Sequence, residues 1–131
     1  MPLVQIHLLK GVWTPTQIKQ IADSIQDVML SHFNAPIRDR YQIITQHEPY
    51  ELICEDTNLP NLPRSDKLIF LHIFQQGRDA ETKQKTYAEM MKTLKEKFGL
   101  GDGDLIISVA RNEKEDWSFG AGRAQFLTGE L

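Results

Sequence analysis

Two strand–helix–strand patterns of similar length follow one another along the chain, and this tandem repeat constrains the fold more than any other feature. The first covers about residues 2–47 and the second about residues 67–110. A right-handed crossover makes the two strands of each unit parallel and puts the helix of the unit on one face. We therefore predict an α+β fold, a four-stranded mixed sheet with two helices on one face. The length of 131 residues suits a single domain made of these units and a C-terminal tail.

The first unit carries the clearest local signals for a strand and a helix. Apolar and polar residues largely alternate over residues 2–9, which predicts a strand. Thr14 can cap a helix, Pro15 suits its first turn and Gln17 completes a capping box. The apolar residues that follow recur every three or four positions and predict one buried stripe. Aromatic and β-branched residues then predict a second strand over residues 41–47.

The second unit repeats this order after a segment rich in turn-forming residues. That segment predicts an irregular connection, with a short hairpin at residues 50–54 as one option. Residues 67–74 form an almost unbroken apolar run, which is typical of a central strand covered on both faces. Asp79 is suited to begin a second helix and Gly99 to end it. Residues 105–110 predict the fourth strand.

The predicted arrangement leaves one face of the sheet without a covering layer. The apolar run over residues 67–74 nevertheless predicts burial on both faces. We therefore expect other copies of the chain to cover the open face in a closed homo-oligomer. The tail over residues 111–131 has no helix or strand period, but it contains Trp117, Phe119 and Phe126.

The charge balance and the cysteine content limit the expected partners and compartment. Fifteen basic residues against eighteen acidic ones leave a net charge of -3, which disfavours binding to nucleic acid or anionic lipid. No apolar run approaches the roughly 20 residues of a membrane helix, and residues 1–10 lack the features of a signal peptide. A single cysteine, Cys54, suits a reducing compartment. We expect a cytoplasmic protein that binds neither nucleic acid nor membrane.

The histidines and the cysteine do not form a recognisable metal or nucleophile motif. Four histidines lie on separate predicted elements, and no pair has the spacing of metal ligands. The acidic neighbours of Cys54 disfavour its thiolate. We predict no metal site and no cysteine nucleophile.

The proline after the initiator methionine is a candidate for chemistry. Removal of Met1 would expose the secondary amine of Pro2, which can act as a nucleophile or as an acid or base. Many chains begin with Met-Pro without a catalytic reason, so only the sequence context of Pro2 can indicate whether this residue is catalytic. That context consists of a strand in a tandem repeat, the string RDRYQ after the first predicted helix, and the tail DWSFGAGRAQFLTGEL.

These features resemble the tautomerase superfamily and, within it, the malonate semialdehyde decarboxylases. The resemblance covers nearly the whole chain, and its most specific strings are RDRYQ, TQH, EDTNLP, DWSFG and FLTGEL. It implies a trimer of subunits with two β-α-β units each, and catalysis by the amino-terminal proline without a cofactor. The implied activity is the decarboxylation of malonate semialdehyde or a similar short 3-oxo acid.

The resemblance also implies roles for individual residues. Pro2 matches the catalytic proline, Asp39 the catalytic aspartate, and Arg78 an arginine that holds the substrate carboxylate. The planar fork of an arginine is suited to bidentate binding of a carboxylate. The best-known decarboxylase has two arginines in this region, separated by one residue, and Gln76 stands where the first would be. A second branch with this activity uses one arginine, and we include Gln76 among the substrate-binding residues.

The sequence allows two roles for the Asp39 carboxylate. It can accept a hydrogen bond from the Pro2 ammonium and favour the charged amine. Alternatively, it forms a surface ion pair with Arg38 or Arg40.

Three further residues complete the predicted substrate site. Trp117 and Phe119 would form an apolar wall that excludes water, or would cover a subunit edge. His47 would support the site from the end of the second strand.

Three functions stay open on the sequence. The first is decarboxylation, in which Pro2 either polarises the carbonyl as an ammonium or attacks it to form an iminium ion. The second is a keto-enol tautomerase or hydratase that acts on a small unsaturated or oxo acid with the same Pro2. The third is a trimeric binding or signalling protein, which retention of Met1 would favour.

Overall fold

The computed structural model describes residues 2–131, and two long helices pack on one face of a four-stranded sheet. In chain order the elements are β1 (Leu3–Leu9), α1 (Pro15–His32), β2 (Tyr41–His47), β3 (Ile69–Gln76), α2 (Ala80–Phe98), β4 (Leu105–Asn112), a 3₁₀ turn (Lys114–Asp116) and α3 (Gln125–Thr128). No helix in this range is both long and apolar enough to cross a membrane.

The sheet is mixed, with strand order β2-β1-β3-β4. Each unit contributes one parallel pair, β1 with β2 and β3 with β4. The two units join through antiparallel pairing of β1 with β3, in which Leu3 lies opposite Phe74. The mixed sheet with both helices on one face is the architecture that the tandem repeat predicts.

Local capping interactions set the ends of both long helices as predicted. The Thr14 hydroxyl accepts from the backbone N–H of Gln17 at 3.2 Å, and the Gln17 side chain accepts from the backbone N–H of Thr14 at 2.9 Å. At α2, the Asp79 carboxylate accepts from the backbone N–H of Thr82 at 2.7 Å. Gly99 ends α2 with a φ of 72°, a left-handed conformation that glycine adopts at little cost.

The hydrophobic core lies between one face of the sheet and the two helices. Alternate residues of β1 and β3 point into it, and so does one stripe of each helix. Its fully buried members include Ile6, Leu8, Ile21, Ile25, Met29, Leu71, Ile73, Met90 and Leu94. Burial of each side chain of this size contributes about 1.5–3 kcal/mol to folding.

The opposite face of the sheet is only partly covered within one chain. Alternate residues of β3 on this face, such as Phe70 and Phe74, are half-buried rather than buried. On β2 the exposed fractions are 38% for Tyr41 and 52% for Ile43. The prediction that residues 67–74 are covered on both faces is therefore wrong for a single chain, because both helices lie on the same side.

Two segments differ from the sequence-based expectation. No hairpin forms at residues 50–54, because residues 48–68 consist of turns and irregular chain. The tail contains two short helical turns, whereas its sequence shows no helical period. Contacts among its aromatic side chains, rather than a repeated apolar stripe, accompany these turns.

The irregular segment is held by the turn that precedes β4. The buried carboxylate of Asp104 accepts from the Ser65 backbone N–H at 2.6 Å, the Ser65 hydroxyl at 2.8 Å and the Gly101 backbone N–H at 2.9 Å. The Arg64 guanidinium donates to the Gly103 carbonyl at 2.7 Å. Gly103 is packed so closely that a Cβ atom would overlap the carbonyl oxygens of Leu62 and Pro63.

This close approach predicts that Gly103→Ala destabilises the fold. The backbone of the irregular segment would have to move, which is expected to lower the free energy of unfolding by about 1–3 kcal/mol or more. Gly77→Ala is a matched control, because its Cβ would meet only the flexible Arg111 side chain, at 3.3 Å. Urea unfolding of both variants measures the difference, and equal stabilities would contradict this packing.

Candidate active site

The sheet topology collects the ends of four strands at one edge. The parallel pairs run in opposite directions, so the starts of β1 and β2 lie beside the ends of β3 and β4. Pro2 precedes β1 and Asp39 lies two residues before β2. Gln76 is the last residue of β3, and Arg78 follows shortly after it. Four predicted site residues are thus brought to the same edge.

A cavity of about 480 Å³ opens at this edge. Three of the predicted residues line it together with apolar side chains, and the full set is Asp39, Gln76, Arg78, Pro36, Ile37, Phe126 and Leu131. The cavity therefore combines one acidic, one basic and one amide side chain with an apolar lining, which is a common composition for a small-molecule site.

Pro2 is buried beside this cavity and is not one of the residues that line it. The next residue, Leu3, lies opposite Tyr41 on one side and Phe74 on the other. Extending that register by one residue sets Pro2 next to the chain just after Asp39 and just before Gln76. The backbone nitrogen of Pro2 therefore lies at the junction of the two β-α-β units.

The guanidinium of Arg78 is held mainly by backbone carbonyls. Its Nε donates to the Phe33 carbonyl at 3.1 Å, and Nη2 donates to the Asn34 carbonyl at 3.3 Å. Nη1 donates to the Gln76 carbonyl at 2.7 Å and to the Gln75 side chain at 3.5 Å. These contacts use four of the five N–H groups of a guanidinium. The expected bidentate contact is therefore not available in this conformation, because one Nη2 N–H is left for a ligand.

The positive charge of the Arg78 guanidinium is not paired with a carboxylate of the described residues. Within residues 2–131 no carboxylate lies within 4.0 Å of its guanidinium. The guanidinium sits 4.9 Å from the centroid of the Phe33 ring, which favours a cation. Burial lowers the pKa of Arg78 from its ordinary value, but an arginine stays protonated at neutral pH. Arg78 therefore presents a positive charge at the cavity.

Asp39 is half-buried at the cavity, and its carboxylate makes no ion pair with any residue that the structure describes. The alternative of a surface pair with Arg40 is wrong, because Arg40 binds Asp23 at 2.7 Å and Gln42 at 2.9 Å. Arg38 is exposed and likewise makes no such pair with Asp39 in residues 2–131. The Asp39 carboxylate is therefore free of ion pairs within residues 2–131, at the lining of the cavity.

The tail aromatics form a continuous stack that reaches the cavity. Trp117 and Phe119 are parallel, with ring centroids 5.4 Å apart, and Phe119 packs edge-on against Phe126 at 5.6 Å. Tyr41 contacts Phe119 at 5.7 Å, and Asn112 accepts a hydrogen bond from the Trp117 indole at 3.1 Å. Trp117 also lines a smaller cavity, of about 250 Å³, on the open face, while Phe126 lines the cavity of about 480 Å³.

Sequence reasoning did not assign the apolar residues that line this cavity. The sequence indicates Phe126 only as an aromatic residue of the tail, and nothing in it indicates Leu131 as a lining residue. The string FLTGEL, which contributes to the family resemblance, contains Phe126 and ends at Leu131. That string is the one signal in the sequence that points to these two residues, but it has no period or spacing that is typical of residues lining a cavity.

His47 lies away from this cavity, which corrects its predicted role within one chain. It ends β2, about 20 Å along the strand from Tyr41 at the usual rise per residue. Its Nε2 lies 2.8 Å from Nδ1 of His7, and the two rings stack at 5.0 Å. Both histidines line a separate cavity of about 360 Å³ with Phe70 and Cys54 among its other residues.

The described part of the chain contains no group of three or more His, Cys, Asp or Glu side chains that could hold a metal ion. The 2.8 Å contact between His7 and His47 is a hydrogen bond between two imidazoles, in which one ring donates and the other accepts.

Comparison with known proteins identifies relatives over the full length of the chain. Two family models described as tautomerase enzyme match residues 39–120 and residues 2–59. A protein named probable tautomerase YrdN, from Bacillus subtilis (strain 168), is 38% identical over 131 residues and is matched over 100% of both chains. A solved malonate semialdehyde decarboxylase superposes with a TM-score of 0.91 at 37% identity, covering 98% of each chain.

A more distant structure shares the fold alone. It is a fused 4-OT protein described as a symmetric trimer, with a TM-score of 0.75 at 16% identity, covering 97% of this chain and 98% of that one.

The histidine pair predicts how stability depends on pH. Burial lowers the pKa of His7 below its ordinary value of 6.5, and His47 and His72 lower it further. Below pH 6.5 the unfolded chain therefore binds a proton at this position that the folded chain does not bind. The contribution of His7 to stability is complete above that pH and is lost as the pH falls towards the folded pKa.

We expect His7→Gln to reduce the loss of stability between about pH 7.5 and about pH 5.5. Urea unfolding at both pH values measures this loss for wild type and variant. His32→Gln, on α1 and outside the pair, is the matched control and should retain the wild-type loss. An unchanged pH dependence in His7→Gln would contradict the prediction.

Proposed function

This chain belongs to the tautomerase family, and on that premise we propose that it decarboxylates malonate semialdehyde or a similar short 3-oxo acid. The proposed catalytic group is the secondary amine of Pro2 after removal of Met1. The observation that carries the proposal is the cavity where Asp39, Gln76 and Arg78 meet, at the edge from which β1 starts. The similarity to a malonate semialdehyde decarboxylase over 98% of the chain supports the substrate class.

The proposed reaction requires a positive group at the substrate carbonyl. When the bond between the carboxylate carbon and C2 breaks, its electron pair moves towards the C3 carbonyl and forms an enolate, and carbon dioxide leaves. A protonated Pro2 amine stabilises the developing oxyanion, because it is positive where negative charge appears. A proton at C2 then completes the product aldehyde or ketone. Alternatively, a neutral Pro2 adds to the carbonyl, and the carbonyl oxygen leaves as water to give an iminium ion, which accepts the same electron pair as carbon dioxide leaves. Protonation at C2 and hydrolysis of the iminium ion by water then release the product and the free Pro2 amine.

The charged cavity residues have distinct proposed roles. Asp39 stabilises the protonated form of Pro2, because an anion near an amine favours the ammonium. Arg78 binds the substrate carboxylate through its remaining N–H and its charge. The carboxylate would thereby be held at the edge of the sheet from which β1, the strand that follows Pro2, starts.

The aromatic stack of Trp117, Phe119 and Phe126 supplies an apolar boundary to the site. An apolar wall excludes water, and the exclusion strengthens electrostatic interactions between the substrate and Pro2, Asp39 and Arg78.

A tautomerase activity is the second candidate, and the name of the Bacillus subtilis relative favours it. A tautomerase needs Pro2 as a neutral base, whereas the decarboxylase needs a protonated amine or an iminium ion. The Asp39 carboxylate, which has no ion-pair partner among residues 2–131, favours the protonated amine and hence the decarboxylase. Hydration of an unsaturated acid would use the same residues. Retention of Met1, which would leave the Pro2 nitrogen as an amide, would favour a binding or signalling role without turnover.

We predict that carbon dioxide release from malonate semialdehyde depends on a free Pro2 amine and on Asp39. The intact mass should correspond to a chain without Met1, and a form that retains Met1 should be inactive because its Pro2 nitrogen is an amide. In Asp39→Asn the alkaline limb of the pH–rate profile should move to lower pH, since the ammonium loses its anionic neighbour.

Asp23→Asn is the matched control for this prediction, because Asp23 pairs with Arg40 and Lys19 outside the cavity. The control should keep the wild-type profile. Activity in a chain that retains Met1 would contradict the decarboxylase proposal. An acid limb in place of the alkaline one would contradict the ammonium mechanism and favour attack by a neutral Pro2.

We also propose that three copies assemble through the open face of the sheet. The apolar side chains exposed there, such as Tyr41 and Ile43, support this arrangement, as does the trimeric state of the fused 4-OT protein with the same fold. An obligate interface of this kind buries about 2,000 Å² or more.

The trimer proposal predicts that Ile43→Lys weakens assembly. A lysine would put a charge into an apolar interface, which is costly without a partner. Leu30→Lys is the matched control, because Leu30 is 38% exposed and lies on α1, away from the open face. Sedimentation equilibrium should find a trimer for wild type and control and a smaller species for Ile43→Lys. A stable folded wild-type monomer at micromolar concentration would contradict the proposal.

A further inference from the structure

Three of the four histidines in the chain lie on the open face of the sheet, opposite the two long helices. The strand register puts His7 of β1, His47 of β2 and His72 of β3 on the same face as Tyr41 and Ile43. All three imidazoles are half-buried within one chain. They therefore lie on the surface that is proposed to join subunits.

The strand positions on this face carry no fixed charge. Alternate residues of 3–9, 41–47, 70–76 and 106–112 point to it, and none of them is Lys, Arg, Asp or Glu. Histidine is the side chain that ordinarily changes its charge between about pH 5 and about pH 8. The strands of the open face are therefore neutral above this range and become positive within it through the three histidines alone.

Charged and titratable side chains of the irregular segment lie near the pair formed by His7 and His47. Glu51 and Cys54 line the cavity that contains both imidazoles. The Glu51 carboxylate accepts a hydrogen bond from the Glu48 backbone N–H at 2.9 Å. These contacts give neither imidazole an acidic partner.

The remaining charged groups around this face are also engaged within the chain. Glu48 pairs with Lys10 at 3.3 Å. At the other end of the face, the Asp116 carboxylate accepts from the Glu113 backbone N–H at 2.7 Å. Within residues 2–131 no carboxylate lies within 4.0 Å of a histidine ring nitrogen. A protonated imidazole on the open face therefore has no ion-pair partner in its own chain.

A second copy of the chain on this face would make protonation of the histidines more costly. Burial and the two neighbouring imidazoles already lower the pKa of His7 within one chain. Coverage by another neutral face removes more water, and the loss of water disfavours a charged group that has no partner. The covered face is therefore compatible with neutral imidazoles and not with protonated ones.

We infer that His7, His47 and His72 make the assembly of subunits through the open face depend on pH, so that mild acid dissociates the folded chains. The inference rests on the proposed trimer and goes beyond it, because it assigns a regulatory role to three residues outside the cavity of Asp39 and Arg78. The occupant of the face is another copy of this chain, whose own open face is equally free of fixed charge.

Proton linkage sets the size of the expected effect. The slope of the logarithm of the association constant against pH equals the number of protons that assembly releases. Release of one proton by each of three copies gives a slope of about three, so the association constant should fall about a thousandfold per pH unit below the titration of the imidazoles.

Sedimentation equilibrium of the full chain at constant ionic strength tests the inference at about pH 7.5 and about pH 5.5, a range over which ordinary carboxyl groups stay ionised. We expect a trimer at the higher pH and a smaller species at the lower one. Far-ultraviolet circular dichroism should be the same at both, because the hydrophobic core lies on the other face of the sheet. A trimer at both pH values overturns the inference, and so does dissociation accompanied by loss of the dichroism signal.

Variants identify the groups that titrate. A triple variant with His7→Gln, His47→Gln and His72→Gln keeps polar side chains that cannot gain a charge, and it should stay a trimer at the lower pH. His32→Gln, at an exposed position of α1, is the matched control and should dissociate like wild type. Equal dissociation of the triple variant and wild type would assign the effect to other groups and overturn the inference.

His72→Lys tests the same surface without relying on the triple variant. A lysine puts a positive charge on the face at both pH values, so this variant should be a smaller folded species even at the higher pH. If the triple variant does not fold, this result decides, because a His72→Lys trimer at the higher pH contradicts the inference.

The wild-type measurements separate this inference from the trimer proposal. If the wild-type chain is a trimer at both pH values, the trimer proposal stands and the pH dependence alone fails. If the wild-type chain is a folded monomer at the higher pH, the trimer proposal fails and this inference fails with it.

Discussion

Antiparallel pairing of β1 with β3 is the interaction on which the rest of the structure depends. Each β-α-β unit by itself forms one pair of parallel strands, so both strands of the unit start at the same end of the pair. The central pairing, in which Leu3 lies opposite Phe74, turns the second unit around relative to the first. The start of the first unit therefore meets the end of β3 in the second. Pro2 and Asp39 come from one unit and Gln76 and Arg78 from the other, so the cavity exists only when the units are joined.

The second constraint is that both helices pack on the same face of the sheet. This arrangement buries the core and also brings the end of α1 over the end of β3. The carbonyls of Phe33 and Asn34, which follow α1, hold Arg78 there. The same asymmetry leaves apolar side chains on the other face, where the tail aromatics cover part of the sheet. The packing of both helices on one face of the sheet thus accounts for the position of Arg78 and for the exposed apolar surface that is proposed to join subunits.

Much of the fold could be predicted from sequence because the relevant signals are local. Thr14 and Gln17 cap each other across three residues, and Gly99 ends its helix through its own backbone conformation. The tail turns and the missing hairpin at residues 50–54 could not be predicted, since long-range contacts decide them. Asp104, for example, holds Ser65 from 39 residues away. Within one chain His47 lies at the opposite end of β2 from the cavity, because a residue's position along a strand decides which end of the sheet it reaches.

The sequence by itself determined the order of strands and helices and the parallel pairing within each unit. Its family resemblance also led to the prediction that Asp39, Gln76 and Arg78 share a site, and all three line one cavity. It could do so because helix caps and the periods of strands and helices act over a few residues, and because the motifs resemble a family. Only the tertiary structure decided which hydrogen-bond donors remain for a ligand. Arg78 keeps one N–H because its other donors meet backbone carbonyls and a side chain, and two of those carbonyls are about 45 residues away in sequence. Whether a donor is left without a partner depends on which groups meet in space, and no local pattern in a sequence contains that information.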